Sequence, residues 1–221
     1  MDFNWQYIWE LFPILAKGVG VTIQISAIAA FFSLLIGLII ALISYYRIKI
    51  LYPIARVYVF IIRGTPVVAQ LYFFYFGLAI YSVFVRQMPP LVATAIVMSL
   101  NTSAFMSESM RAALMSVDNG QKEAAYSLGM TNFQLTHRIV IPQAVRIALP
   151  PLFNDIINLV KMSSLAFMLG VPDIMGVAKT EGARTYRYFE IYAVAMVIYL
   201  IIIAALNLIQ KAIENKSKKA Y

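Results

Sequence analysis

Three stretches of this chain carry no charged residue over a length that crosses a bilayer: Gly18 to Ser44, Val67 to Val85 and Ile191 to Gln210. About 20 apolar residues at 1.5 Å rise span a hydrocarbon core, so each is long enough for a transmembrane helix. A fourth uncharged stretch, Gln87 to Ser107, runs into Glu108. A fifth, roughly 147 to 172, is apolar but broken by Pro150-Pro151 and interrupted by Asp155, Asn158 and Lys161. Lipid offers no partner for backbone N–H and C=O groups, so such segments fold as helices. The expected fold is an all-α membrane protein with five transmembrane helices at approximately 18–44, 67–85, 87–110, 147–172 and 190–211, in a single domain covering 1–221.

Composition supports this reading. The chain is 62% hydrophobic and only 13% charged, against roughly 45–50% apolar residues in soluble domains. With no Cys and one His, His137, it has no means of forming disulfides or a Cys/His metal site, and no cofactor is expected. Residues 1–16 hold Asp2 and Glu10 without a basic cluster, which does not read as a cleavable signal. Trp5, Ile8, Trp9 and Phe12 instead recur at helical spacing, predicting a short N-terminal helix lying in the membrane interface.

The net charge of +8 is scattered between apolar runs rather than gathered on one face, so it reads as topology and not as a nucleic-acid footprint. With an odd number of spans and the N-terminus outside, twelve basic residues fall inside, among them Arg47, Arg56, Arg63 and Lys122. Five fall outside, and Lys161 lies within a span. The N-terminus is therefore expected outside and the C-terminus in the cytoplasm, which places the 118–146 loop in the cytoplasm.

Within that loop, Asp118 followed by Gln121 predicts a capped helix that Gly129 terminates. Thr131 with Gln134 opens a second, which Pro142 is expected to end. Ala124, Ala125 and Leu128 make a small-residue contact face on the first helix. Two short helices around a glycine imitate a DNA-reading motif, but the loop is too short to supply the helical core such a reader needs, so no nucleic-acid partner is expected.

Glu123-Ala124-Ala125, three residues, Gly129, nine residues, Ile139, one residue, then Ile141-Pro142 resembles the EAA loop of ABC-type importer permeases, with Ile141 where Leu is usual. Arg63-Gly64-Thr65-Pro66, GVGVTIQIS in the first span and LVKMSSLAF in the fourth resemble the polar amino acid uptake subfamily. The resemblance implies a permease of the bacterial inner membrane working as a dimer with a second copy or a related chain. Two ATP-binding cassette subunits and an extracytoplasmic amino-acid-binding protein would complete it. It further implies that Glu123, Ala124, Ala125, Leu128, Gly129 and Pro142 belong to a coupling helix docked on the ATPase. For Glu123, a first-turn acid complementing the helix dipole is an equally good account. No G-x-x-x-x-G-K-[ST] phosphate loop occurs in the sequence, so the chain itself is not expected to be an enzyme.

Polar residues inside spans cost free energy, which makes them candidate contacts for substrate. Asn101 is one, and the resemblance implies that an Asn at this place touches the bound amino acid. Glu108, seven residues on, is expected to pair with Arg111. In the fourth span Asp155, Asn158, Lys161, Met162, Ser163 and Ser164 form a second group, to which the resemblance adds Thr65. Asp155 and Lys161 are equally well read as ligands or as a structural pair. Relatives commonly carry an acidic residue or Asn where this chain has Met162. A thioether does not suit a cationic side chain, so the substrate leans towards a neutral or sulfur-containing amino acid such as cystine. Arginine, histidine or glutamine remain the alternatives. An autonomous secondary transporter is disfavoured because no inverted repeat is evident.

Overall fold

The structure, a computed structural model, describes residues 5–218, and these are almost entirely helical. Helix α1 (Trp5–Ala16) buries Leu11 and Leu15 while Trp5 and Trp9 stay exposed. Helix α2 (Val19–Tyr46) is the first span and ends at Arg47, whose left-handed backbone (φ 48°) lets its N–H reach the carbonyl of Ile43. One face of α2 carries Ala29, Ser33, Gly37 and Ala41 at four-residue spacing, all buried. Small side chains let two backbones approach in lipid, where apolar burial no longer drives association. The partner is α6 (Pro90–Met115): Ser33 Oγ donates to the Ser99 carbonyl at 3.0 Å, and a Cβ on Gly37 would stand 3.2 Å from Met106 Cβ.

The second span differs from expectation. Helix α3 (Leu51–Gly64) lies before it and packs on α2 and α6, with Ala55 and Val59 buried beside Ile40 and Ala104. After a break at Thr65 and Pro66 the chain bends by 109° into α4 (Val67–Tyr72), which a π turn (Phe73–Gly77) and a 3₁₀ turn (Leu78–Ile80) extend. The unit is therefore a broken helix over 51–80, followed by the short α5 (Val83–Arg86), and not an unbroken one over 67–85. Proline explains the break: it holds the preceding residue extended, and Thr65 lies at φ −122°, ψ 144°. Arg56 and Arg63, expected in a loop, sit in α3.

Beyond α6 come α7 (Asn119–Ser127) and α8 (Asn132–Leu135), a π turn (Thr136–Val140) and α9 (Ile141–Met162). Pro142 does not end the second loop helix, since 132–169 is one helical run. The π turn widens the backbone just before Pro142, where its ring would otherwise meet the carbonyl four residues back. Pro150 and Pro151 likewise lie inside α9 without breaking it; in lipid a full break would orphan more backbone groups than the two missing donors. A 3₁₀ segment (Ser163–Leu169) follows and ends at Gly170 (φ 81°). Helix α10 (Ile174–Thr185) and the last span, α11 (Tyr188–Lys218), complete the chain. Four unbroken helices are long and apolar enough to cross a bilayer, and the bent pair, counted as one span, makes a fifth.

Three of the five apolar clusters among the described residues tie the two ends and the middle together. Leu11, Leu15, Ile174, Ile191 and Val194 join α1, α10 and α11 at one end. Ala29, Leu71, Met98 and Leu159 fill the middle. Ala113, Leu114, Ala125, Leu135, Val140 and Ala144 anchor the loop to α6 and α9 at the other end.

Candidate functional site

The helix break is held by one side chain that the sequence reading passed over, Gln70. Its Nε2 donates to the Ile62 carbonyl at 2.8 Å and to Thr65 Oγ1 at 2.8 Å, and lies 3.2 Å from the Thr65 carbonyl. Carbonyls at such a break lack the N–H partners that a continuing helix would supply. Its Oε1 accepts from Asn101 Nδ2 at 2.9 Å, and Asn101 is buried in α6. An amide in an otherwise apolar span was the available signal, since such a group has to find partners in lipid.

Arg63, immediately before the break, is exposed and stacks its guanidinium over Phe105 at 5.2 Å. It lies within electrostatic reach of Asp155 and Glu108 but forms an ion pair with neither among the described residues. Asp155 is half-buried and accepts from Ser109 Oγ at 3.2 Å. It makes no ion pair with Lys161 among the described residues. Six residues along a helix amount to about 240°, which points the two side chains to different faces. Glu108 does pair with Arg111, at 2.6 Å, and Arg56 stands 3.8 Å away.

The other candidates divide. Asn158 and Lys161 are exposed on α9. The hydroxyls of Ser163, Ser164 and Thr65 donate to carbonyls of their own helices, Val160 at 2.8 Å, Lys161 at 2.6 Å and Ile61 at 2.8 Å. Met162 packs against the middle core beside Leu159. Beside the break a cavity of about 360 Å³ is lined by Ile62, Thr65, Gln70, Phe73 and Leu100, among others. A cavity of about 580 Å³ under α10 is larger, but its lining is the 167–183 segment, away from this polar group.

At the loop end, Asp118 Oδ1 accepts from the Gln121 N–H at 3.2 Å. The Gln121 side chain does not close a capping box; it accepts from Gln143 Nε2 at 2.5 Å and ties α7 to α9. Thr131 and Gln134 do form the reciprocal box. Gly129 adopts φ 76°, and the N–H groups of Met130 and Gly129 reach the carbonyls of Ala125 and Tyr126. That closure is a Schellman turn, which favours glycine. The predicted contact face is split. Ala125 is buried in the chain's own core, whereas Ala124 and Leu128 are exposed, because adjacent helical residues point about 100° apart. Glu123 is exposed and makes no ion pair among the described residues. Leu128, Met130, Arg138, Pro142 and Arg146 help to line a groove of about 430 Å³.

A helical bundle with a polar break in one bent segment and a glycine-closed elbow at one end suits the membrane component of a transport machine. Residues 33–219 match the family described as the inner membrane component of binding-protein-dependent transport systems. The chain belongs to that family and is an amino acid ABC transporter permease subunit, a multi-pass inner-membrane protein. Such subunits are not themselves enzymes and work with an ATPase and a substrate-binding protein.

The chain is 38% identical to a probable amino-acid ABC transporter permease protein, PatM, of Vibrio harveyi, covering 100% of this chain and 99% of that one. It is 36% identical to the L-cystine transport system permease protein TcyB of Bacillus subtilis, covering 96% and 90%. It is 32% identical to the glutamine transport system permease protein GlnP of Escherichia coli, covering 99% of each. Among solved structures, an amino acid ABC transporter crystallised with histidines superposes at a TM-score of 0.91 with 32% identity, over 98% of this chain and 100% of that one.

Proposed function

We propose that this subunit forms half of an import pathway for a polar amino acid, with the α3–α4 break as the substrate station. The carrying observation is Arg63, exposed beside the break, with the half-buried carboxylate of Asp155 within its electrostatic reach. An α-amino acid needs donors for its carboxylate and an acceptor for its ammonium. Arg63 supplies a guanidinium fork and Asp155 a carboxylate. The N-terminus of the broken helix adds N–H groups to the same place. Asn101 acts through Gln70 to hold the station, and the exposed Asn158, Lys161 and Thr65 are assigned to the pathway that a second permease copy closes. Ser163, Ser164 and Met162 shape the wall behind it.

The substrate we favour is neutral or sulfur-containing, such as cystine, on the strength of a thioether at Met162 and the absence of an acidic side chain there. The coupling reading assigns Ala124, Leu128 and the groove beside Pro142 to contact with the ATPase. Glu123 is free to meet a basic partner, and Gly129 and the buried Ala125 keep the elbow rigid. Closure of the ATPases then moves the elbow, and the spans attached to it swing between inward- and outward-facing states.

The loop end is cytoplasmic in this reading. Taking Arg56 and Arg63 out of the loop tally leaves ten basic residues inside against five outside, so the sign of the bias is unchanged. The chain has no Cys, so Ser127→Cys gives a clean reporter. A membrane-impermeant maleimide should label it only after the cells are permeabilised. Function itself is tested by reconstituting the permease with candidate ATPase and binding proteins and screening amino acids. Stimulated ATP hydrolysis and uptake should appear with one loaded binding protein. Accumulation of solute by vesicles holding this chain alone would refute the reading.

A further inference from the structure

At the end of the bundle nearest the 118–146 loop, a second polar pocket of about 310 Å³ opens between the end of α2, the start of α3, the end of α6 and α7. Arg47, Arg56, Arg111 and Lys122 line it, together with Tyr52 and Ser44. Glu108 is the carboxylate that meets these cations: it binds Arg111 at 2.6 Å and stands 3.8 Å from Arg56, and no other ion pair involves the four among the described residues. Lys122 Nζ reaches only the neutral Asn119 Oδ1, at 3.3 Å. Four cations against one anion leave a concentrated positive charge that the chain does not neutralise.

Arg47 occupies the left-handed region at φ 48°, ψ 48°, which a β-carbon disfavours. The neighbouring surface is apolar and uncovered. Phe60, one turn beyond Arg56 on α3, is 80% exposed, and Ile54 on the same helix and Ile50 just before it are 62% and 78% exposed. A positive pocket at the end of a bare apolar helix has the polarity of a phospholipid, headgroup at one end and acyl chains along the other.

We infer that the Arg47–Arg56–Arg111–Lys122 pocket binds the phosphate ester of an anionic phospholipid, whose acyl chains run along the exposed side of α3. The lipid braces the joint between α3, which leads to the break, and α7 of the coupling loop. This site is separate from the substrate station, and its test does not require that station to be correctly assigned.

The test uses the full-length permease in detergent, incubated with phosphatidylglycerol or phosphatidylcholine and read by native mass spectrometry. Phosphatidylglycerol should be retained in preference to phosphatidylcholine. Arg47→Gly with Lys122→Gln should weaken its retention roughly thirtyfold, as expected for two cations removed at a lipid surface. Glycine suits the backbone at position 47, so the loss is not one of folding. Lys179→Gln with Lys211→Gln removes the same charge elsewhere and should leave retention unchanged, and Arg47→Lys should preserve it. Equal losses in the two double variants would reduce the effect to general surface charge and overturn the proposal. So would displacement of the lipid by millimolar inorganic phosphate, which would make the pocket a site for free phosphate.

Discussion

Asn101 Nδ2 donates to Gln70 Oε1 at 2.9 Å, joining the middle of α6 to the helix that resumes after the break 31 residues earlier in the chain. The other end of the same Gln70 amide grips Ile62 and Thr65. One side chain therefore fixes both the two halves of the broken span and their position against α6. Gln70→Leu and Asn101→Ala should each destabilise the protein by about 1–2 kcal/mol. Measured by unfolding in detergent, the double variant should show a coupling of about 1 kcal/mol. Simple additivity would mean that the bond has no role in holding the break.

Arg63→Gln removes the exposed guanidinium beside the break while leaving the break and its Gln70 bonds in place. Transport by the reconstituted complex should fall by about 10- to 100-fold, the worth of a charge-assisted hydrogen bond. Arg63→Lys should recover only part of it, because an ammonium lacks the planar fork. Thermal stability should hardly change, since Arg63 is exposed. Wild-type uptake in Arg63→Gln would remove the residue from the substrate station.

Gly129 at φ 76° sets the angle between α7 and α8. A β-carbon there would meet no neighbouring atom, so any penalty is one of backbone conformation and not of crowding. Gly129→Val should cost about 1–3 kcal/mol locally and turn the elbow. The variant should still reach the membrane, but ATP hydrolysis should no longer drive uptake. Uptake equal to wild type would contradict the lever.

Asp173 caps α10, accepting from the N–H groups of Met175 at 3.3 Å and Gly176 at 2.9 Å and from Tyr199 Oη at 3.4 Å. Burial raises its pKa from 3.8 to about 6, against the lowering effect of those donors. The folded state therefore holds the proton more tightly than the unfolded one. The stability this group contributes is present in full below about pH 4 and is lost as pH rises through about 6. The swing is at most about 3 kcal/mol. Asp173→Asn keeps a side-chain cap and should flatten the dependence of melting temperature on pH between 4 and 7. An unaltered profile in that variant would assign the titration to another group.

Much of this molecule is legible from local sequence because its solvent is lipid. An uncharged run has to be helical, and four spans and the Asp118, Thr131 and Gly129 signals of the loop follow from neighbours a few residues apart. Local rules fail where a distant partner intervenes. Arg56 and Arg63 mark a loop by their charge, whereas Glu108 and Phe105 on α6 accommodate both side chains in α3. Pro142 predicts a stop, but the π turn before it absorbs the clash.

Sequence alone thus determined the class of fold, the helical loop and its elbow, since hydropathy, capping and glycine conformation act within a turn or two of chain. Tertiary structure decided which polar groups meet. It brought Gln70 to Asn101 and Ser109 to Asp155, and set Arg63 over Phe105, while leaving Lys161 apart from Asp155. The reason is geometric: a hydrogen bond requires atoms within about 3 Å, and residues far apart in sequence come that close only once the helices have packed and the second span has broken.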